Sequence, residues 1–334
     1  MAKKTILTGD RPTGPLHIGH YFGSLKNRKA LENDYETYVM VADVQALTDN
    51  WENPEKVRSN VFEVAADNIA LGLNLSETTL FIQSQIHEIA ELTVFFSNLV
   101  TLNRLKRNPT VKTEIEQKKT LFGEEGESLT YGFFGYPVSQ AGDILVTRTN
   151  LVPVGSDQLP MIELAREIAE KFNRIYGEVF PLPEAKISEG ARIKGLDGNA
   201  KMSKSLNNSV YLKDSPEETI KKFKTAKTDS ESVIAFDPEN RPEISNLVLI
   251  YSLIHGIEPE QAVAELGPIQ YGTFKMKIAE DLNTHLAQFR ERRRELEARP
   301  EIVFNTLREG YERTSKKAQE TMRLVREAMK INYF

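Results

Sequence analysis

Apolar positions along the chain follow two periods. Short, mostly continuous apolar runs at Lys4–Leu7, Tyr38–Val44, Thr79–Gln83 and Leu151–Val154 read as strands buried on both faces of a parallel sheet. The stretches between them have helical spacing. A helix is predicted from about Ile18, and another from Asn53-Pro54 to Gly72 with Val57, Val61, Val64, Ala65 and Ile69 on one face. Ile89–Val100 reads as a helix, as does a segment opening after Pro137 and running to Leu145. A further helix begins at Gly155–Gln158 and presents Met161, Leu164, Ile168, Phe172 and Ile175 as its buried face. Strand and helix alternate, which is the signature of a doubly wound, Rossmann-like α/β domain with a parallel sheet.

After Leu212 the pattern turns helical. Ser215 caps a helix with Pro216 at its first position, Pro242 and Gly256 frame another, and longer helices are expected over about Phe274–Ala298 and Thr314–Met329. The expected organisation is therefore an α/β domain over residues 1–212 and an all-helical domain over 213–334. An insertion interrupts the first at about 101–135: Asn103–Lys119 carries Arg104, Lys106, Arg107, Lys112, Lys118 and Lys119, and Leu121–Leu129 is rich in glycine and glutamate. It reads as a surface segment, mobile in part, suited either to solvent or to a nucleic acid.

Composition narrows the chemistry. A formal charge of −5 over 334 residues argues against a general nucleic-acid coat, although local basic patches still permit an RNA partner. With no cysteine, disulfides, iron–sulfur clusters and thiolate zinc sites are excluded. No apolar stretch reaches membrane-spanning length, and the expectation is a cytoplasmic enzyme with no protein-bound metal centre.

Three groups of residues carry candidate chemistry. Thr8–Gly23, T-G-D-R-P-T-G-P-L-H-I-G-H-Y-F-G, is a strand–turn–helix passage in which the helix amino terminus favours phosphate. Gly19 permits close backbone approach, and His17 and His20 can offer ring N–H groups to phosphate oxygens. Lys201–Ser205, K-M-S-K-S, sets two lysines beside small hydroxyl residues and can neutralise a leaving pyrophosphate. Finally, Tyr136, Gln140 and Asp143 share one helix face that is too polar for a plain core stripe. That face suits either a buried structural network or an amino-acid pocket, in which Asp143 accepts an indole N–H while Gln140 and Tyr136 hold the ammonium.

The H-I-G-H and K-M-S-K-S pair resembles the class I aminoacyl-tRNA synthetases, and the chain is similar to the tryptophan–tRNA ligase family over nearly its whole length. Val152–Gln158 (V-P-V-G-S-D-Q), Gly190–Ile193 (G-A-R-I), Lys227–Ser230 (K-T-D-S) and Ile244–Ser252 (I-S-N-L-V-L-I-Y-S) add to the likeness. The resemblance implies catalysis by His17, His20, Lys201 and Lys204. It implies ATP contacts from Arg11, Pro12, Thr13, Gly19, His20, Gly155, Ser156, Asp157, Ile193 and the Lys201, Met202, Ser203, Lys204 and Ser205 loop. Leu7, Gln45, Tyr136, Gln140, Asp143 and Gln158 would line the tryptophan pocket. It further implies Mg2+ bound with ATP, tRNA(Trp) as partner, anticodon reading by the helical domain and its basic faces (Lys221, Lys222, Lys224, Arg290, Arg292, Arg293, Arg294, Lys316, Lys317), and a homodimer. Three positions depart from the family pattern: Gln140 where most bacterial tryptophan enzymes have Met and tyrosine enzymes have Gln, Gln45 where His is frequent, and Leu7 where Phe is common. The sister tyrosine–tRNA ligases and a synthetase-like paralogue that does not charge tRNA are the competing readings.

Overall fold

The computed structural model describes residues 3–122, 130–187, 193–198, 202 and 208–333, with the backbone alone described over 117–122. Five strands, β1 (Thr5–Asp10), β2 (Glu36–Val41), β3 (Thr78–Ile82), β4 (Leu151–Val154) and β5 (Glu184–Ile187), form one sheet in the order β3-β2-β1-β4-β5. Every pairing is parallel, with Thr5 opposite Glu36 through to Asp10 opposite Val41, and Thr37 opposite Thr78 through to Val41 opposite Ile82. The chain steps outward from β1 to β3 and then returns to the far side of β1 at β4. Strand order thus reverses between β1 and β4, the switch point at whose carboxyl ends open sheets of this kind bind ligands. β5 escapes the sequence pattern because E-A-K-I is a largely exposed strand with no apolar run.

Side chains alternate between two core layers, as the pleat requires. Val39, Val41 and Leu80 enter one cluster, while Tyr38, Met40, Phe81 and Leu7 enter the other. The first helix, α1, runs through Ile18–His20, a π-helical turn at Tyr21–Leu25, and Lys26–Leu31. β2 stops at Val41, so the expected extension of the strand to Val44 is replaced by a short helix, α2 (Asp43–Asn50), in which Asp43 occupies the first turn and Val44 is exposed. α3 (Pro54–Ala70) begins as expected, with the Asn53 side chain accepting from the Lys56 N–H and Pro54 at the first position. On the opposite face lie α4 (Glu88–Ser97) and, from the insertion, α5 (Leu102–Lys106) and α6 (Pro109–Phe122). The described part of the insertion is therefore helical, and most of Leu121–Leu129 lies outside the described residues.

α7 (Tyr131–Val146) starts six residues ahead of Pro137, because Thr130 caps it by accepting from the Phe133 N–H at 3.1 Å. Pro137 sits inside the helix, where it can give no N–H to the preceding turn. α8 (Leu159–Tyr176) buries Met161, Leu164, Ile168 and Phe172, but Ile175 is 51% exposed. Its final turn instead directs Tyr176 inward, with ring centroids 4.9 Å from Phe172.

The remaining helices are α9 (Pro216–Lys224), α10 (Pro242–His255), α11 (Pro259–Leu266), α12 (Tyr271–Ala298) and α13 (Pro300–Ala328). α13 starts well before Thr314. Gly310, which reads as a helix breaker, is buried within it where a Cβ would stand 1.7 Å from the Leu80 carbonyl oxygen. The helix thus rides directly on β3 and covers that edge of the sheet, and Arg313 donates to the Leu75 carbonyl at 3.0 Å. Arg290 and Arg293, expected on an exposed face, are 8% and 1% exposed, because acceptors on other elements draw them inward.

Candidate functional site

The carboxyl end of β1 is fixed by a buried charge pair. Arg28 of α1 donates to both oxygens of Asp10 and, at 2.8 Å, to the Asn68 amide oxygen. Burial alone would push the Asp10 carboxyl up, yet the facing Arg28 guanidinium holds it down at about 2. From this anchor Arg11, Pro12 and Thr13 turn the chain towards α1.

Leu16–Ile18 then pairs with Val210–Leu212. Ile18 N–H donates to Val210 at 3.0 Å, Leu212 N–H donates to Leu16 at 3.0 Å, and His17 bridges Tyr211 between them. His17 caps α1: its Nδ1 accepts from the Gly19 N–H at 3.1 Å, and the His20 Nδ1 accepts from the His17 N–H at 3.2 Å. With both Nδ1 atoms accepting, the neutral rings carry their protons on Nε2, the tautomer that can donate to a phosphate oxygen. The rings lie 3.8 Å apart at the positive end of α1. Gly19 is required here by its neighbour, since a Cβ would stand 2.9 Å from the His17 ring.

Met202 is the described residue of the K-M-S-K-S segment; Lys201, Ser203, Lys204 and Ser205 lie outside the described residues. It is 3% exposed and shares a core cluster with Leu16, Ile18 and Ile193, and its Cβ would be 3.9 Å from a Cβ on Gly19. Met202 is thereby brought beside the histidine signature. Asn246, from the I-S-N-L stretch, accepts from the Lys194 N–H at 2.8 Å and donates to the Lys194 carbonyl at 3.1 Å, fixing the chain just after Ile193. Gly155, Ser156 and Asp157 follow β4 on the other side of this switch point, with Ser156 and Asp157 exposed.

The α7 face holds a second polar centre. Asp143 is 2% exposed: its Oδ1 accepts from Gln83 Nε2 at 2.8 Å, while its Oδ2 is buried with no partner among the described residues. Burial pushes this carboxyl up to about 7, against the lowering effect of the Gln83 hydrogen bond and with the Asp43 charge adding to the rise. Gln140 Oε1, one turn away, is likewise buried and unpartnered among the described residues. Among the described residues, neither acceptor has the partner that a satisfied structural network would give it. Tyr136 donates to Glu114 of α6 at 2.8 Å, and burial, with the Glu114 charge, raises its phenol. Tyr136 also packs with Val111 and with Met161, three residues beyond Gln158, and Leu7 lines the same core layer as α7.

Gln83 escaped the sequence reading. Its amide oxygen accepts from the Gln45 N–H at 3.0 Å while its nitrogen holds Asp143, so it ties α2 to α7. The signal was its place at the carboxyl end of β3, where polar residues face ligands in such sheets. Glu114 lies in the basic insertion and carried no comparable signal.

The model of the class I tRNA synthetases for W and Y matches residues 2–287. The tryptophan–tRNA ligase of Clostridium longisporum is 46% identical, with 100% of this chain and 99% of that protein covered. The chain belongs to the tryptophan–tRNA ligase family. Among solved structures, the tryptophanyl-tRNA synthetase of Campylobacter jejuni complexed with ADP and tryptophan superposes with a TM-score of 0.82 at 33% identity, covering 97% of this chain and 99% of that one. A tyrosyl-tRNA synthetase of Archaeoglobus fulgidus reaches a TM-score of 0.66 at 22% identity over 87% of this chain and 90% of that one, a likeness of fold alone. The departures at Leu7, Gln45 and Gln140 leave the paired histidines and Gly19 intact, and of the three Gln140 shares the α7 face with Asp143 while Gln45 reaches it through Gln83.

Proposed function

We propose that the chain activates L-tryptophan with ATP, giving tryptophanyl-adenylate and pyrophosphate, and then transfers tryptophan to tRNA(Trp). The observation that carries the substrate is the buried Asp143 Oδ2, without a partner among the described residues and so an acceptor for the single N–H of an indole. Gln140 Oε1 and Tyr136, on the same face, receive the ammonium. Leu7 and Gln158 close the apolar and polar sides of the pocket, and Gln45 is tied to it through Gln83.

In the first step a tryptophan carboxylate oxygen attacks the α-phosphorus, and the bond to the bridging oxygen breaks with its electron pair leaving on pyrophosphate. The nucleophile is already ionised, so no base is needed, and the protein contributes position and charge. His17 and His20 donate through Nε2 to phosphate oxygens, and Lys201 and Lys204 take the charge that develops on pyrophosphate. Arg11, Pro12 and Thr13, Gly19, and Gly155 to Asp157 are assigned to the nucleotide, with Asp157 at the ribose and Ile193 at the adenine, and Met202, Ser203 and Ser205 are assigned to it with the lysines. Mg2+ travels on those phosphates. Transfer follows when the terminal ribose 2′-hydroxyl of tRNA attacks the acyl carbon and AMP leaves.

Residues 1–212 are assigned the adenylate chemistry and 213–334 the anticodon, in a cytoplasmic homodimer; no helix among the described residues is long and apolar enough to cross a membrane. Amino-acid-dependent ATP–pyrophosphate exchange with tryptophan, tyrosine and phenylalanine tests the reading, and exchange with tryptophan alone is expected. Gln140 favours a second reading, tyrosine–tRNA ligase, to which a preference for tyrosine would move the chain. Adenylate formation without charged tRNA would move it to a paralogue. Lys204→Ala should lower the exchange rate while tryptophan binding persists; unchanged exchange would remove Lys204 from the leaving group.

A further inference from the structure

The histidine signature is held from an unexpected direction. The Leu16 N–H, one residue before His17, donates at 3.0 Å to Oδ2 of Asp67 on α3. Asp67 is fully buried, and its Oδ1 accepts at 2.9 Å from Nε of Arg293 on α12. The same guanidinium donates from Nη2 to Glu63 at 2.8 Å and lies 5.5 Å from the Phe62 ring. One turn earlier on α12, Arg290 donates from Nε to the Leu212 carbonyl at 3.1 Å and from Nη2 to the Thr219 hydroxyl at 2.9 Å. Leu212 is the residue whose N–H pairs with Leu16. A third contact from the same helix, His285 Nε2 to the Tyr21 hydroxyl at 3.1 Å, meets α1 directly.

We propose that Arg293, acting through Asp67, is a positioning residue for His17, and that α12 sets the Leu16–Ile18 and Val210–Leu212 bridge through Arg293 on one strand and Arg290 on the other. Neither arginine is among the residues assigned to the nucleotide, and their hydrogen bonds given above are all to protein groups. Their energetic setting makes them sensitive: a buried carboxylate stripped of its arginine is strongly destabilised in its charged form, and its hold on the Leu16 amide loosens with it. Burial already pushes Asp67 up to about 6 despite Arg293 and the Leu16 hydrogen bond, so little reserve remains. A shift of α12 along its axis is thereby transmitted to the residue that caps α1. The placement of a helix outside the nucleotide fold and the capping of the phosphate site are one mechanical unit, an assignment that rests on the activation reading above.

The test uses the full chain with Arg293→Lys, Arg293→Met and Asp67→Asn. Lysine keeps the charge but loses the planar fork, and asparagine keeps one acceptor for the Leu16 N–H, so both are milder than Arg293→Met. Arg293→Lys should lower the kcat of pyrophosphate exchange about tenfold while KM for tryptophan stays within about twofold, and Asp67→Asn should fall less than Arg293→Met. Combined with His17→Ala, the loss should be non-additive, since both act through one group. Hydrogen exchange should show reduced protection of the Leu16 amide in Arg293→Lys without added substrate. Unaltered Leu16 protection, an unaltered kcat, or strict additivity with His17→Ala would overturn the proposal. Were the unmodified protein to show no tryptophan-dependent exchange, the activation reading would fall alone, because Leu16 protection still decides whether Arg293 holds the motif.

Discussion

Asp143 joins chemistry to stability at the scale of one side chain. Its folded-state value of about 7 stands above the ordinary 3.8, so the folded protein takes up a proton that the unfolded chain would release. The ionised form is therefore the costly one: this contribution to stability is full below about 3.8, falls as pH rises towards 7, and is lost and level above it. On the proposed assignment, an indole N–H donated to Oδ2 would offset that cost. If the ionised acceptor is the binding form, tryptophan affinity should weaken about tenfold between pH 8 and pH 6. Titration calorimetry at the two values checks this, and Asp143→Asn should flatten the profile. Gln83→Ala removes the hydrogen bond that lowers the carboxyl and should move the midpoint upward; an unmoved midpoint would detach Gln83 from the pocket. The histidines were legible at this scale because two of them beside Gly19 repeat a local pattern. Gln83 was not, because its role depends on a residue 60 positions away.

Individual elements show why some boundaries could be read and others could not. Ser215 and Glu218 form a complete capping box in which the Ser215 hydroxyl accepts from the Glu218 N–H at 3.1 Å and Glu218 accepts from the Ser215 N–H at 2.8 Å. Local chemistry of this kind is visible in sequence, and Ser215→Ala should cost about 1 kcal/mol in chemical denaturation. The start of α13, fourteen residues before the expected Thr314, includes Gly310, a poor helix former that is tolerated there because the helix touches a strand. A methyl group there would meet the Leu80 carbonyl, a backbone atom that cannot rotate away. Gly310→Ala should therefore destabilise the chain by about 3 kcal/mol, in spite of the better helix propensity of alanine. Equal or greater stability would mean that α13 sits farther from β3. Val44 and Pro137 misled for related reasons: an apolar run continued past the end of its strand, and a proline was carried inside a helix that Thr130 had already begun.

On the scale of the whole molecule, the sheet and the helical part are not insulated from each other. Leu16, Ile18, Val39, Val64 and Leu80 share one buried cluster with Leu247, Phe274, Leu282, Leu286 and Leu307. α13 crosses the β3 edge so that Ala318, Met322 and Val325 enter the opposite layer. Periodicity announced the change from alternating elements to helices after Leu212, but it could not announce this shared core, which is a property of contacts between distant residues. A fragment of residues 1–212 would expose the α3 face, leave Asp67 without Arg293, and uncover the β3 edge. It should consequently lose the single heat-absorption peak expected of the full chain, bind a hydrophobic dye, and show little protection at Leu16. Scanning calorimetry on the two proteins separates the cases. Two resolved transitions in the full chain, with the lower matching the isolated fragment, would mean that the layers fold apart and that α12 docks on a motif already formed.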